Sequence, residues 1–393
     1  METSKKDLDS LWRKLIPLRN YEEDSHLAFT GFDGFVDKIQ RVVAKKKGNN
    51  ATYFDTVGEF TDHLGSMRVG GGDIETSTTK IRIGGDAPIL SNTLGSLGIQ
   101  THCLGAMGHP ALHPVFMKMH KLCEITSVMD PGENQILEFN DAKIVLSDQA
   151  MFNNYDWEYI KTHTEVFDQL KRVVKMAELF ALVDWVRLPF ASSIWKGFLE
   201  DMIKATGKKD ALFFFHIGDP YKIPRKKIGQ MVELIDEFAA FGKVTVSLNQ
   251  QEASKLWLVL NGYEPSQDQT EVKIPAMSEM ARFIFRVFDI DTVIVRNRES
   301  TFVASEKEMI EVSGSKVENP RVLMGGGDNF DAGYCLGLLE GMSRRQCALL
   351  GTAASGAFIQ NGYSPCIEDV IEYLKTWADK MKPNHKQSVK LKH

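Results

Sequence analysis

The residues with the clearest chemical meaning are three consecutive glycines, Gly325, Gly326 and Gly327, followed at once by Asp328 and a helix-like run from Tyr334 to Met342. Glycine lets backbone N–H groups approach an anion closely, and the start of a helix adds partial positive charge there. An aspartate repels a phosphate that is merely bound, but it suits a base that takes a proton from a hydroxyl attacking that phosphate. The run therefore indicates a phosphotransferase, with the glycine amides as an anion hole and Asp328 as the catalytic base. The structural alternative, an ordinary helix start with Asp328 as its cap or first-turn residue, stays open at this point.

A second candidate pair, Asn249 and Glu252, follows directly after the predicted strand Lys243–Leu248. Residues three apart in the first turn of a helix share one face. Both side chains offer oxygen atoms that can hold Mg²⁺ or its waters, and this cation must bridge nucleotide phosphates. The pair is therefore a candidate metal and nucleotide site, with contact to the metal largely through water. The same spacing is that of a helix capping box, which is the structural alternative.

Two further turns place carboxylates where strands end. Gly84, Gly85 and Asp86 close one predicted strand and open a helix, while Asp33 and Asp37 lie just after another. Carboxylates at such positions could accept hydrogen bonds from the hydroxyls of a substrate. We therefore expect these five residues to bind substrate, with tight polar turns as the alternative.

The composition excludes several classes of protein. The chain has 393 residues, a net charge of −5 and five cysteines that form no CxxC pair, which argues against nucleic acid as ligand and against a zinc or disulfide framework. No segment approaches the roughly 20 apolar residues that a membrane span needs, and the first 19 residues are charged and amphipathic rather than like a signal peptide. These features predict a cytoplasmic protein without membrane or nucleic-acid partners.

Strand-like and helix-like segments alternate along most of the chain. This pattern predicts an α/β fold with a mainly parallel central sheet and helices on both faces. Two stretches, residues 35–83 and 135–146, have extended patterns without an intervening helix and are predicted to form a small β appendage. The core is then residues 1–34, 84–134 and 147–393. The predicted helices include one over Pro114–Leu122.

Taken together and in this order, the four motifs resemble those of the ribokinase-like (PfkB) carbohydrate kinases. The matching residues, which extend over nearly the whole chain, are Gly31 with Asp37, Gly84-Gly85 with Leu97-Gly98, Asn249 with Glu252, and Gly325 to Asp328. The resemblance implies an ATP- and Mg²⁺-dependent kinase that phosphorylates a hydroxyl of a sugar or a sugar-like small molecule. It also implies that the β appendage is a lid over the sugar, and that two subunits can pair through their lids.

The same resemblance extends to two further segments. Gly356 and Ala357 match the C-terminal signature and are expected near the adenine of the nucleotide. Members often have an Asp-Pro pair near Asp219-Pro220, so Asp219 could help to hold magnesium. A plain Asp-Pro turn is the alternative for Asp219.

The chain also departs from the pattern of these kinases. Ile89 stands where they usually have an asparagine that donates to sugar hydroxyls, and Arg296 to Glu299 replace a glycine-containing loop near the nucleotide. The turns around Gly31 and Gly84 look closer to the ADP-dependent branch. Three alternatives therefore stand beside the ATP-dependent kinase: an ADP-dependent sugar kinase, a non-catalytic sugar- or nucleotide-binding protein on the same fold, and, disfavoured because no GxGxxG follows the first strand, a dinucleotide-dependent oxidoreductase.

Overall fold

The structure is a computed structural model that describes residues 3–20, 26–263, 272–322 and 325–381. Leu323 and Met324, which precede the glycine turn (Gly325 to Asp328), lie outside the described residues. Within the described part, no helix is both long and apolar enough to cross a membrane.

Fourteen strands occur in the described part of the chain. They are β1 Leu27–Gly31, β2 Phe35–Lys47, β3 Asn50–Tyr53, β4 Thr76–Gly84, β5 Gln100–Ala106, β6 Cys123–Met129, β7 Gly132–Glu138, β8 Lys143–Asp148, β9 Leu179–Val183, β10 Ala211–His216, β11 Gly242–Asn249, β12 Thr292–Arg296, β13 Ser300–Ala304 and β14 Met309–Ser313.

Nine of these strands form the main sheet, in the order β14-β13-β12-β11-β10-β9-β1-β5-β6. The seven from β12 to β6 are parallel, and only the β13–β14 hairpin runs antiparallel at one edge. Since parallel strands end at the same edge of a sheet, the loops after β1, β9, β10, β11 and β12 meet there. This edge is the usual ligand-binding side of such a sheet.

Twelve α-helices occur in the described part of the chain, and all but the second, which packs against β2 and β7, cover the two faces of the main sheet. They are α1 Lys5–Leu15, α2 Val57–Ser66, α3 Asp86–Ser96, α4 Trp157–Thr162, α5 Thr164–Met176, α6 Ala191–Phe198, α7 Arg225–Phe238, α8 Gln250–Leu260, α9 Met277–Val287, α10 Gly326–Leu339, α11 Arg344–Asn361 and α12 Ile367–Lys380. Helices α4 to α9 contribute to one apolar core, and α1, α3 and α10 to α12 to the other. Strand β10 shows why both faces are apolar: Phe213 and Phe215 belong to the first core and Phe214 to the second.

A second, smaller sheet lies beside the main one. Its strands run in the order β4-β2-β7-β8, and β3 pairs with the distal end of β2. It corresponds to the predicted appendage, but its second part runs from Gly132 to Asp148, wider than the predicted 135–146. The first part also contains a helix, α2, which the sequence pattern did not reveal.

One local prediction was wrong, and one hairpin was not predicted. The predicted helix Pro114–Leu122 is a loop with one short 3₁₀ turn, Phe116–Lys118, and the β13–β14 hairpin was not foreseen. The fold class itself, an α/β layer with a mainly parallel sheet and a small β appendage, agrees with the prediction.

Candidate active site

The glycine turn starts helix α10 and leaves its amides open to a ligand. Gly325 is the N-cap with φ of 88°, a left-handed conformation that favours glycine, and no side chain caps the helix there. A Cβ on Gly326 would lie 2.6 Å from Ser355 Oγ, so a larger residue does not fit. The first N–H groups of a helix have no intrahelical partner. Asp328 is the third residue of α10 rather than its cap, so it stands beside these amides.

Asp328 lies in a cluster of titratable groups. One potential ligand atom from each of Asp86, His216 and Asp328 lies within 4.8 Å of the other two. Burial and the negative charge of Asp86 raise the pKa of Asp328 well above its ordinary value, against the opposing charges of His216 and Arg296. A carboxylate with a raised pKa is a better proton acceptor near neutral pH than an ordinary aspartate. The environment of Asp328 therefore suits a general base.

His216, the last residue of β10, joins two sides of this cluster. Its Nδ1 lies 3.3 Å from Asp86 Oδ2, and its Nε2 lies 3.1 Å from Glu252 Oε2. Burial disfavours the charged imidazole, but the two carboxylates outweigh it, so the pKa of His216 is raised well above its ordinary value. For Asp86, burial is outweighed by the nearby His216 imidazole and by the charge of Arg187, which lower its pKa to about 2. The three groups are thus the imidazolium of His216 between the ionised carboxylates of Asp86 and Glu252.

Asn249 and Glu252 form the capping box of α8. Asn249 Oδ1 accepts the Glu252 N–H at 2.9 Å, and Glu252 Oε2 accepts the Asn249 N–H at 2.8 Å. The structural alternative for this pair is therefore present in the fold. It does not exclude contact with a hydrated cation, because Glu252 also reaches His216 and so lies at the edge of the Asp328 cluster.

Asp33 has a positioning function in the fold, and its expected contact with substrate stays a prediction. The side chain is fully buried, and its two oxygens accept the backbone N–H groups of Asp86 at 2.7 Å and Ala87 at 2.8 Å. Both oxygens are thus used to hold the start of α3. Gly85, with φ of 90°, makes room, since a Cβ there would lie 2.7 Å from Asp33 Oδ2.

Asp37 lies on the second sheet in a row of hydrogen-bonded side chains, which we call the polar row. Asp37, in β2, accepts from Arg82 Nε of β4 at 3.4 Å and from Asn134 Nδ2 of β7 at 2.9 Å; Asn134 Oδ1 in turn accepts from Ser147 Oγ of β8 at 2.6 Å. The four residues are direct cross-strand partners. Gly84 permits this, because a Cβ there would lie 2.2 Å from Asp37 Oδ1.

Arg187, which follows β9, is a residue of the site that was not predicted from the sequence. Its guanidinium lies 2.7 Å from Asp184 Oδ2, 3.0 Å from Asp86 Oδ1 and 4.3 Å from the centre of the Phe35 ring. It thereby balances the carboxylates at the end of β9 and at the start of α3, and it connects them to β2, the strand of the second sheet that begins with Phe35. Its position just after a strand of the ligand-binding edge was the available signal. His216 was likewise passed over, because the sequence shows no partner at helical spacing.

Comparison with known proteins places this site in a family. A model of prokaryotic ketohexokinases matches residues 10–377 of the chain. The chain belongs to the prokaryotic ketohexokinase family. A ketohexokinase from Haloferax volcanii is 22% identical over 386 residues, which cover 96% of this chain and 97% of that protein.

Solved structures share the fold of this family member. Adenosine kinase from Sinorhizobium meliloti matches with a TM-score of 0.60 and 16% identity, over 90% of this chain and 99% of that one. Ribokinase from Thermotoga maritima matches with a TM-score of 0.58 and 14% identity, over 89% and 99%. The ribokinase-like fold expected from the four motifs is thus confirmed.

Membership of the prokaryotic ketohexokinase family makes the chain a kinase that transfers a phosphoryl group to a hydroxyl of a sugar, with ATP use implied by the family. The predicted enzyme class is thereby confirmed. The non-catalytic binding protein and the oxidoreductase, which the sequence left open as alternatives, are not supported.

Asp219 lies outside the clusters of potential metal ligands found in the described part of this family member. Its side chain pairs with Lys255 and accepts the Tyr221 N–H at 3.1 Å, capping the turn Pro220–Lys222. The turn interpretation therefore accounts for Asp219, and a magnesium contact has no support from its surroundings.

Gly356 and Ala357 are buried in α11, and packing explains the glycine. A Cβ on Gly356 would lie 2.2 Å from the Tyr373 ring of α12. The same helix lines the glycine turn, since Phe358 and Ser355 lie against Gly325 and Gly326. Gly356 therefore allows α11 to pack closely on α12, while other residues of α11 line the start of α10.

Proposed function

We propose that the protein is an ATP- and Mg²⁺-dependent ketohexokinase in which Asp328 is the general base. The observation that supports this most is the position of Asp328 in the first turn of α10, beside the open amides of the glycine turn and within the Asp86–His216 cluster. Asp328 accepts the proton of the attacking sugar hydroxyl. The amides of Gly325, Gly326 and Gly327 stabilise the charge on the transferring phosphoryl oxygens, often the largest contribution to such catalysis.

Magnesium fits the oxygen-rich face formed by Asn249 and Glu252, whose side-chain oxygens are of the kind that Mg²⁺ prefers. Both residues already use an oxygen in the capping box, so contact through water suits them better than direct ligation. When bound, the cation supplies positive charge that neutralises the nucleotide phosphates.

The nucleotide base is proposed to lie beside α11, near Gly356 and Ala357. A cavity of about 250 Å³ supports this position; it includes Gln360 of α11, Asn319, and the Tyr373 ring that packs on Gly356. The cavity lies next to the segment that leads into the glycine turn, so a base held there would place its phosphates near the amides.

The sugar is proposed to lie between Asp328 and the second sheet, with Asp37 and Asn134 of the polar row and Asp86 near its hydroxyls. Asp37 and Asn134 are buried and ordered by their mutual hydrogen bond, so they present oriented polar groups. The second sheet then acts as a lid over the sugar. This lid consists of residues 35–83 and 135–146, as delimited from the sequence, with the second stretch extended to the observed ends of β7 and β8. Closing it excludes water and limits hydrolysis of ATP without acceptor.

A homodimer through the lids is part of the proposal. Ile81 and Leu146, on the outer strands β4 and β8, lie on the same face of the second sheet and are 51% and 52% exposed, which is unusual for large apolar side chains on edge strands. Pairing of two lids would cover them. Sedimentation that shows a monomer at all concentrations would overturn the proposed homodimer.

The function is tested by measuring formation of the phosphorylated acceptor, together with release of ADP from ATP or of AMP from ADP, with the purified protein, Mg²⁺ and a panel of ketohexoses, aldohexoses, pentoses and nucleosides. Each acceptor is supplied with ATP and, in parallel, with ADP. The proposal expects turnover with ATP and highest kcat/KM for a ketohexose. Turnover with ADP alone would overturn the assignment of ATP as the donor. Preference for another class of acceptor would overturn the assignment of a ketohexose as the substrate, but the protein would still be a phosphotransferase.

A further inference from the structure

Arg296 is a residue of the ligand-binding edge that the proposed function does not yet use. It is the last residue of β12, where its register partner in β11 is Asn249. It begins the loop in which this chain departs from the glycine-containing loop of similar kinases. Its side chain is only 11% exposed, so the guanidinium lies inside the site rather than in solvent.

Helix α10 holds the guanidinium of Arg296 in place. Its Nη2 donates to Asp331 Oδ2 at 3.2 Å, and Asp331 Oδ1 accepts from Ser247 Oγ at 2.7 Å. The plane also lies over the Phe330 ring, 5.0 Å from its centre, in a cation–π contact. Two contacts come from the helix that presents Asp328, so the position of Arg296 is fixed relative to the catalytic base.

The same guanidinium lies against the glycine turn. An ideal Cβ on Gly327 would be 3.1 Å from Arg296 Nη2 and 3.3 Å from Nη1, so the absence of a side chain at Gly327 lets the arginine approach the amides of the anion hole. Arg296 Nε is buried and has no hydrogen-bond partner among the described residues. A buried donor without a partner is unusual, and beside an anion hole it indicates a ligand oxygen.

The charges around Arg296 support the same conclusion. Its positive charge lowers the pKa values of Asp328, Asp86 and Glu252, which shows that it acts on all sides of the cluster. A guanidinium carries five N–H donors in a planar fork that fits phosphate oxygens. One bond to Asp331 leaves most of this fork available.

We propose that Arg296 is a further catalytic residue, whose guanidinium donates hydrogen bonds to the non-bridging oxygens of the phosphoryl group during transfer. This inference rests on the proposed kinase function. The bond from phosphorus to the sugar oxygen forms as the bond to the leaving nucleoside diphosphate breaks, and the leaving group keeps that electron pair. The sugar proton goes to Asp328, and Arg296 exchanges no proton.

The test compares Arg296→Gln and Arg296→Lys with the wild type, using ATP, Mg²⁺ and the best sugar. Loss of one oxyanion donor typically costs about 10²–10³ in kcat, so Arg296→Gln should lose about that much while the KM for ATP changes by less than about threefold. Arg296→Lys keeps the charge but not the fork, and should recover about tenfold of the loss. Arg345→Gln is the matched control, because it removes another arginine–aspartate ion pair, with Asp7 at 3.1 Å on the α1 side of the molecule.

A binding measurement separates this function from a purely structural one. ADP, Mg²⁺, aluminium fluoride and the sugar together imitate the transferring phosphoryl group, whereas a non-hydrolysable ATP analogue imitates the ground state. Arg296→Gln should weaken the first complex by about 10²-fold and the second by less than about threefold. Equal weakening of both complexes, or kcat within about threefold of wild type, would overturn the inference. If Arg296→Gln does not fold, the same two complexes of Arg296→Lys decide.

The outcomes also separate this inference from the proposed function. A wild-type protein without turnover on any acceptor overturns both. A wild-type protein that is active, with Arg296→Gln nearly as active, overturns the inference alone.

Discussion

The imidazole of His216 and the carboxylate of Glu252 form a buried ion pair, with 3.1 Å between Nε2 and Oε2. His216 is the last residue of β10, and Glu252 lies in the first turn of α8. Together they connect Asp86, at the start of α3, to the proposed magnesium face. Because Asp328 lies within reach of the same imidazole, the charge of His216 acts on the proposed base as well as on the proposed magnesium face. His216 is therefore a positioning residue with an electrostatic effect on the base.

Asp328→Asn should nearly abolish phosphoryl transfer. A positioned base contributes roughly 10²–10⁴-fold, so kcat should fall at least about 100-fold, while calorimetric binding of ATP stays within about threefold of wild type. Asp379→Asn, a change of the same kind on the exposed end of α12, is the control and should leave kcat unchanged. Retention of more than about a tenth of wild-type kcat would refute Asp328 as the base.

The pH dependence of kcat/KM should report the raised pKa of Asp328. The base must be ionised, so activity should be lost as the pH falls through a pKa above the ordinary aspartate value of about 4. The positive charge of His216 lowers the pKa of Asp328. In His216→Gln the acidic limb of the profile should therefore move to higher pH. A limb that stays in place, or moves to lower pH, would contradict the assignment of this limb to Asp328.

Much of this site could be predicted from sequence because its motifs are local. The turn at Gly325 needs a left-handed backbone, and the turn at Gly84 has no room for a side chain, so both positions favour glycine. The capping box of α8 depends only on the three-residue spacing of Asn249 and Glu252. What could not be predicted depends on tertiary proximity: His216 meets its carboxylate partners only once β10 lies beside β9 and β11. The positioning function of Asp33 was not predicted for the same reason, since its partners are backbone amides about fifty residues away along the chain.

The fold shows the same division. Alternation of apolar strands and amphipathic helices predicted the main layer, because both faces of a parallel sheet are buried. The β13–β14 hairpin and α2 were missed, since short elements at an edge bury too little apolar surface to leave a clear period.

Folding stability should depend on pH through His216. Its pKa is raised in the folded state, so its contribution to the free energy of unfolding is fully present below the unfolded value of about 6.5 and declines as the pH rises toward the folded pKa. Measured by urea unfolding, the difference between wild type and His216→Gln should shrink by up to about 1.4 kcal/mol per pH unit above that point. A difference independent of pH from about 6 to 9 would mean that His216 is not held as an imidazolium.

Gly84→Ala should weaken sugar binding more than it slows the chemical step. The new Cβ would lie 2.2 Å from Asp37 Oδ1 and 3.0 Å from the carbonyl oxygen of Phe35. The Asp37 carboxylate must then rotate away and lose its bond from Asn134, so the polar row no longer presents ordered groups to the sugar. The KM for the sugar should rise by about tenfold or more, with a smaller fall in kcat, because the lost contact serves ground state and transition state alike. Gly58→Ala in α2, where the nearest atom is 3.8 Å away, is the matched control and should be neutral or stabilising by up to about 1 kcal/mol. An unchanged KM in Gly84→Ala would place the sugar elsewhere than against Asp37.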